Sequence, residues 1–218
     1  MHTLDSRSLR LGDCFGQRFS TPGEVRYFIS PGELFPSAGT HEEGGYLIKV
    51  KPAAEGVAAQ QHNVVVGLDC GSLTVDPPAL EIHAGDGVLW HTLDAQVSGF
   101  HVAGVGDNFQ FNSARIQNDA VFTHAFGVPG RYEWVDPNGS GVGGTIDVEA
   151  LGEKSTDERD HWFEMLKKPA GIKIKGKAAS PASVCIVVGQ TVFWSIADSG
   201  GVAIADKRLS RFPSSNKA

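Results

Sequence analysis

The sequence predicts an all-β protein, and three observations carry that expectation: its turn-forming residues, short runs of period-two hydrophobicity, and an internal repeat. The 218 residues hold 27 glycines and 11 prolines, as many short strands joined by tight turns require. Ile82, Val88 and Trp90 alternate with Glu81, His83, Leu89 and His91 around a Gly85-Asp86 turn, which is strand periodicity. Phe122, His124 and Phe126 share one face, and Pro129-Gly130 then turns the chain into Tyr132-Glu133-Trp134.

The repeat sets the domain expectation. Ile82, Gly85, Val88 and Trp90 align without a gap on Ile186, Gly189, Val192 and Trp194, and Asp94 on Asp198. Phe15, Phe19, Pro22 and Gly23 likewise align on Phe122, Phe126, Pro129 and Gly130, and Gly44–Val50 resembles Gly143–Val148. The period is close to half the chain. Residues 55–150 run from the first motif to the second and read as a complete unit. Residues 1–50 carry only the second motif, and 170–218 only the first. A half sandwich leaves strand edges and apolar faces uncovered. The two chain ends are therefore expected to close on each other as one circularly permuted unit, within a chain or by exchange between chains.

Residues 151–169 read as a helical linker. The helix is expected over Thr156 to Lys168, with Ser155 and Glu158 as a capping box. Trp162, Phe163, Met165 and Leu166 supply its apolar stripe, and Pro169 stops it.

The central unit resembles the cupredoxin family of plastocyanin- and azurin-like proteins. The resemblance lies in Ile82–Trp90, Asp94, Phe100-His101-Val102, Phe122–Phe126, Pro129–Tyr132 and Gly144–Val148. It implies two Greek-key β-sandwiches, one assembled from the N- and C-terminal segments, with one connecting helix. In the family a histidine near the middle and a Cys, a His and usually a Met near the end hold copper. His101 falls where the first histidine belongs, but the cysteine position holds Asp136 in the central unit and lies around Ser30 in the permuted one. A blue site needs a thiolate with two histidines, so blue-copper electron transfer is not expected.

His101 and Asp136 are the candidate ligands for a non-blue site, with His91 and His83 as further imidazoles nearby; no cofactor is certain, and copper or another divalent ion suits that donor set. His124 faces the core and its repeat counterpart is Gln17, so both are expected to be buried, hydrogen-bonded polar residues. His41-Glu42-Glu43 reads as a solvated loop. Gly104–Asn108 has no following helix and makes no phosphate cradle.

Net charge is -6 and the pI about 5.7, with no basic cluster, which argues against nucleic acid or an anionic membrane as partner. The chain as written shows no apolar leader near Met1, so the expected location is cytoplasmic, or periplasmic or extracellular if a leader was removed. Cys14, Cys70 and Cys185 are too scattered for a disulfide framework and read as free buried thiols. Two functions fit. One is a binding protein holding a small molecule or protein partner, with a homo-oligomer open; the other is an enzyme using His101 and Asp136, with or without a metal.

Overall fold

Alternating apolar residues fold as strands throughout the computed structural model, which describes residues 3–32, 45–53, 55–107, 109–150, 155–197 and 199–211. The first run is β1 (Asp13–Arg18), β2 (Gly23–Pro31), β3 (Tyr46–Lys51), β4 (Gln61–Asp69), β5 (Ser72–Asp76), β6 (Ala79–His83), β7 (Gly87–His91), β8 (Phe100–Gly106) and β9 (Phe109–Asn112). The second is β10 (Ala120–Ala125), β11 (Gly130–Val135), β12 (Gly143–Glu149), α1 (Thr156–Leu166), β13 (Ala170–Lys175), β14 (Ala178–Ser180), β15 (Ser183–Val187), β16 (Thr191–Ala197) and β17 (Ala205–Asp206). Among the described residues the protein is an all-β sandwich with one α-helix, as its sequence predicts.

One sheet of eight strands, ordered β14-β13-β16-β10-β1-β7-β4-β5, runs across the molecule. Two smaller sheets, β6-β3-β2-β8-β9 and β15-β12-β11-β17, complete the sandwiches. The repeated residues lie at matching places in the core. Phe15 and Phe122, Tyr27 and Trp134, and Trp90 and Trp194 are all fully buried. Tyr27 meets Trp90 edge-on at 5.4 Å between ring centroids, and Trp134 meets Trp194 at 5.9 Å. Val64 pairs with Trp90 across β4 and β7, as Ile172 does with Trp194 across β13 and β16.

Strand pairing joins the half-units differently from the permuted closure expected of them. β2 pairs with β3 and β8, and β3 with β6; β11 pairs with β12 and β17, and β12 with β15. β1 stands between β7 and β10, so the stretch 55–150 is not one closed unit. Strands within 13–112 form the first sandwich, and those within 120–206 the second. The physical reason is loop closure: each half-unit finds its complement in the adjacent stretch of chain, which costs less entropy than pairing across the whole molecule.

The chain ends do meet, through other residues. Ser6 N–H donates to the Ile204 carbonyl at 2.8 Å, and Asp206 N–H to the Leu4 carbonyl at 2.8 Å. Leu4 and Ile204 are both buried there.

The helix ends at Leu166 rather than Lys168, with Lys167 as its C-cap, because the residue before Pro169 is disfavoured in helical conformation. Ser155 Oγ accepts from Glu158 N–H at 3.2 Å, as the capping pattern requires. Trp162 Nε1 donates to the Val188 carbonyl at 3.0 Å, docking α1 on the β15–β16 turn. No helix among the described residues is long and apolar enough to cross a membrane.

Candidate functional site

The first sandwich carries polar clusters at the two ends of β7. Beyond the C-terminal end of that strand lies His101, on β8 and directly across from Ser30 on β2. Its side chain is 1% exposed. Asn112, closing β9, accepts the Ala114 N–H on Oδ1 at 2.7 Å. The same oxygen lies 2.8 Å from His101 Nε2. An oxygen can only accept there, so Nε2 carries the ring proton and Nδ1 faces Ser30 Oγ at 3.4 Å as an acceptor. Burial pushes the imidazole below its ordinary range, opposed by the Asn112 bond. His101 is therefore neutral near pH 7.

Asp136 belongs to the other sandwich, just past β11. Its Oδ1 accepts the N–H groups of Ala203 and Asn138, each at 3.0 Å, and Oδ2 accepts that of Ser140 at 3.3 Å. His101 and Asp136 thus sit in separate hydrogen-bond networks. His91 is on the outer face of the large sheet, between Cys14 on β1 and Val65 on β4, and burial holds its imidazole below the ordinary range. Among the described residues no three His, Cys, Asp or Glu side chains gather as a metal site. His41-Glu42-Glu43 lies outside the described residues.

His124 and Gln17 are buried and bonded. His124 Nδ1 lies 2.6 Å from Asp13 Oδ1, and Asp13 Oδ2 accepts the Arg10 N–H at 2.8 Å. Gln17 Nε2 donates to the carbonyl of Arg18 at 3.0 Å and to those of Asn118 and Asp119 at longer range.

The N-terminal end of β7 borders a shallow pocket of about 260 Å³, walled by Ala53, Val57, Ala58 and Ala59 and floored by His83, Gly85 and Asp86. Burial alone would raise the Asp86 carboxyl. Donation from the N–H groups of Gln60 at 2.7 Å and His83 at 2.9 Å, and from His62 Nε2 at 3.1 Å, outweighs it and holds the group at about 2. Arg18 leans over this floor from the end of β1. Its Nε donates to the Gly85 carbonyl at 3.1 Å, while its terminal amines have no partner among the described residues. A guanidinium held by Nε presents its outer fork to a carboxylate or phosphate.

Of this pocket the sequence singled out His83 alone. Asp86 was legible as part of a Gly-Asp turn, but Arg18 and Gln60 reach the site from distant strands, and no local pattern marks them.

Comparison with protein families, with curated proteins and with solved structures finds no match to this chain.

Proposed function

We propose that the chain is a binding protein on two cupredoxin-like sandwiches, without a type 1 copper site, and that it holds a small anionic ligand beside Arg18. The observation that carries this reading is the unpartnered Arg18 fork above the pocket. The position matters as well. In the second sandwich the corresponding turn, at Gly189, is packed by Trp162 and Leu166 of α1, and the hollow beside that helix is bordered by Glu149, Asp157 and Glu158, which disfavour an anion. The alanine and valine wall suits a short aliphatic tail on the anion. Calorimetric titration with inorganic phosphate and with short-chain carboxylates tests the reading. Arg18→Ala should weaken binding by roughly ten- to a hundredfold, the scale of a charge-assisted bond of about 1.5–3 kcal/mol. Equal binding by wild type and variant, or none by wild type, rejects the pocket. Adding Cu(II) should give no intense thiolate-to-copper absorption, since Ser30 and Asp136 offer oxygen where that chemistry needs sulfur.

An enzymatic reading is favoured by one observation, the line from Ser30 Oγ through His101 to Asn112. In it Ser30 Oγ adds to an acyl carbonyl as its proton passes to His101 Nδ1, His101 then gives that proton to the departing alcohol or amine as its bond to the acyl carbon breaks, and Asn112 fixes the tautomer. A fluorophosphonate probe should label Ser30 and fail on a folded His101→Ala variant; an unlabelled wild type removes this reading.

A further inference from the structure

The pocket beside Arg18 holds a negative charge as well as a positive one. Asp86 lines its floor, is only 4% exposed, and stays ionised at neutral pH because its hydrogen bonds outweigh its burial. Its Oδ2 accepts twice, from the His83 N–H and from His62 Nε2. Its Oδ1 accepts once among the described residues, from the Gln60 N–H. A carboxylate offers about four lone-pair sites, so one remains on Oδ1. Gly85, also on the floor, accepts from Arg18 Nε at 3.1 Å on its carbonyl, which keeps its second lone pair among the described residues.

A simple carboxylate matches only half of this arrangement. It gains the Arg18 fork but meets the Asp86 charge, and a pocket partly shielded from water strengthens that repulsion. A zwitterion satisfies both charges. Its carboxylate takes the fork, and its ammonium takes the free sites on Asp86 and on the Gly85 carbonyl. The spacing favours an α-amino acid. The Arg18 guanidinium is already bonded to the residue next to Asp86, so cation and acceptors adjoin, as carboxylate and ammonium do on a single carbon. The Ala53, Val57, Ala58 and Ala59 wall suits an aliphatic side chain. The internal repeat supports the pairing of the two charges. In the second sandwich Ala125 stands at the place of Arg18 and Gln190 at that of Asp86, so both charges are missing together.

We infer that the ligand beside Arg18 is a short aliphatic α-amino acid, its carboxylate held by Arg18 and its ammonium by Asp86. The inference rests on the anion-binding reading of this pocket and adds the second charge to it. Calorimetric titration of the full chain at pH 7 with valine, 2-hydroxyisovalerate and isovalerate tests it. The three share a carboxylate and a branched tail and differ only where valine has its ammonium. Valine should bind roughly ten- to a hundredfold more tightly than isovalerate, the scale of a charge-assisted hydrogen bond, with the hydroxy acid between them. Asp86→Asn should weaken valine and strengthen isovalerate, opposite changes that a loss of fold does not produce. Arg18→Ala should weaken all three. If Asp86→Asn fails to fold, the wild-type ligand series decides alone. Isovalerate binding as tightly as valine, with both weakened in Arg18→Ala, overturns the amino acid and leaves the anion pocket standing. A preference for valine that folded Asp86→Asn retains in full also overturns the inference, because the ammonium is then held elsewhere. No binding of any of the three, or binding unchanged in Arg18→Ala, overturns the pocket and the inference together.

Discussion

The Gly85-Asp86 turn of the first sandwich and the Gly189-Gln190 turn of the second do the same structural work with opposite chemistry. Both glycines adopt a left-handed backbone, φ +107° and +89°, which a side chain would strain. Asp86 then accepts the N–H groups of His83 and Gln60. Gln190 accepts the Val187 N–H through Oε1 at 3.2 Å, but its Nε2 donates to the Lys168 carbonyl at 2.7 Å. Both residues close the space between two strand starts. The carboxylate version carries charge and borders an open pocket. The amide version is neutral and covered by α1. A similar turn can thus border an open pocket or lie under a helix.

The two sandwiches share a sheet, and the largest expected effect tests whether they are separate at all. Phe15 and Phe122 face each other across β1 and β10, and both are fully buried. Phe122→Ala should cost about 3–5 kcal/mol. Because the lost side chain lines the seam, far-ultraviolet dichroism and tryptophan fluorescence should still report one common unfolding transition in urea. Two transitions, with only one displaced by the substitution, would show that the sandwiches unfold independently.

Acid sharpens the contrast between the turns. Asp86 titrates at about 2 in the folded protein, against 3.8 for the free group. Its folded value is depressed, so its stabilisation is fully present above the unfolded value and is lost as pH falls from about 4 toward 2. The shift is worth about 2 kcal/mol, and less where water in the adjoining pocket screens it. Gln190 does not titrate. Asp86→Asn should therefore lower the urea midpoint at pH 7 and flatten its fall between pH 4 and 2. An unchanged acid slope would mean that other carboxylates set the acid limit.

The strand class and the helix were legible because each leaves a local signature: Ile82 to Trp90 alternate, and Ser155 with Glu158 caps. Which halves pair was not legible. The motifs order the half-units along the chain but do not say whether β7 takes β1 or β10 as its neighbour, since Phe15 and Phe122 suit either place. The same limit applies at His101. Its partners are Ser30 across a strand pair and Asn112 across a hairpin, whereas the family resemblance, read along the central unit, pointed to Asp136. Once β1–β3 replace β10–β12 in the first sandwich, Ser30 takes the place opposite His101 and Asp136 goes with Ala203.

The smallest effect concerns the plug. Helix α1 has no fully buried residue, and Phe163 on it is 53% exposed. Its hold on the second sandwich therefore rests on Trp162 and Leu166 against Gly189 and on the Trp162–Val188 hydrogen bond. Trp162→Leu removes that bond and most of the ring contact, so global stability should fall by only about 1 kcal/mol, while the helix loosens locally. Hydrogen exchange should show this as faster exchange at the Gly189 and Gln190 amides, with Asp86 and its neighbours unaffected. The loosened turn should still bind no anion, because the repeat places Ala125 where the first sandwich has Arg18. If exchange at Gly189 stays slow, the turn is held by its own hydrogen bonds, and the helix does not protect it. If the variant gains a second anion site, Arg18 is not what confers binding on the first.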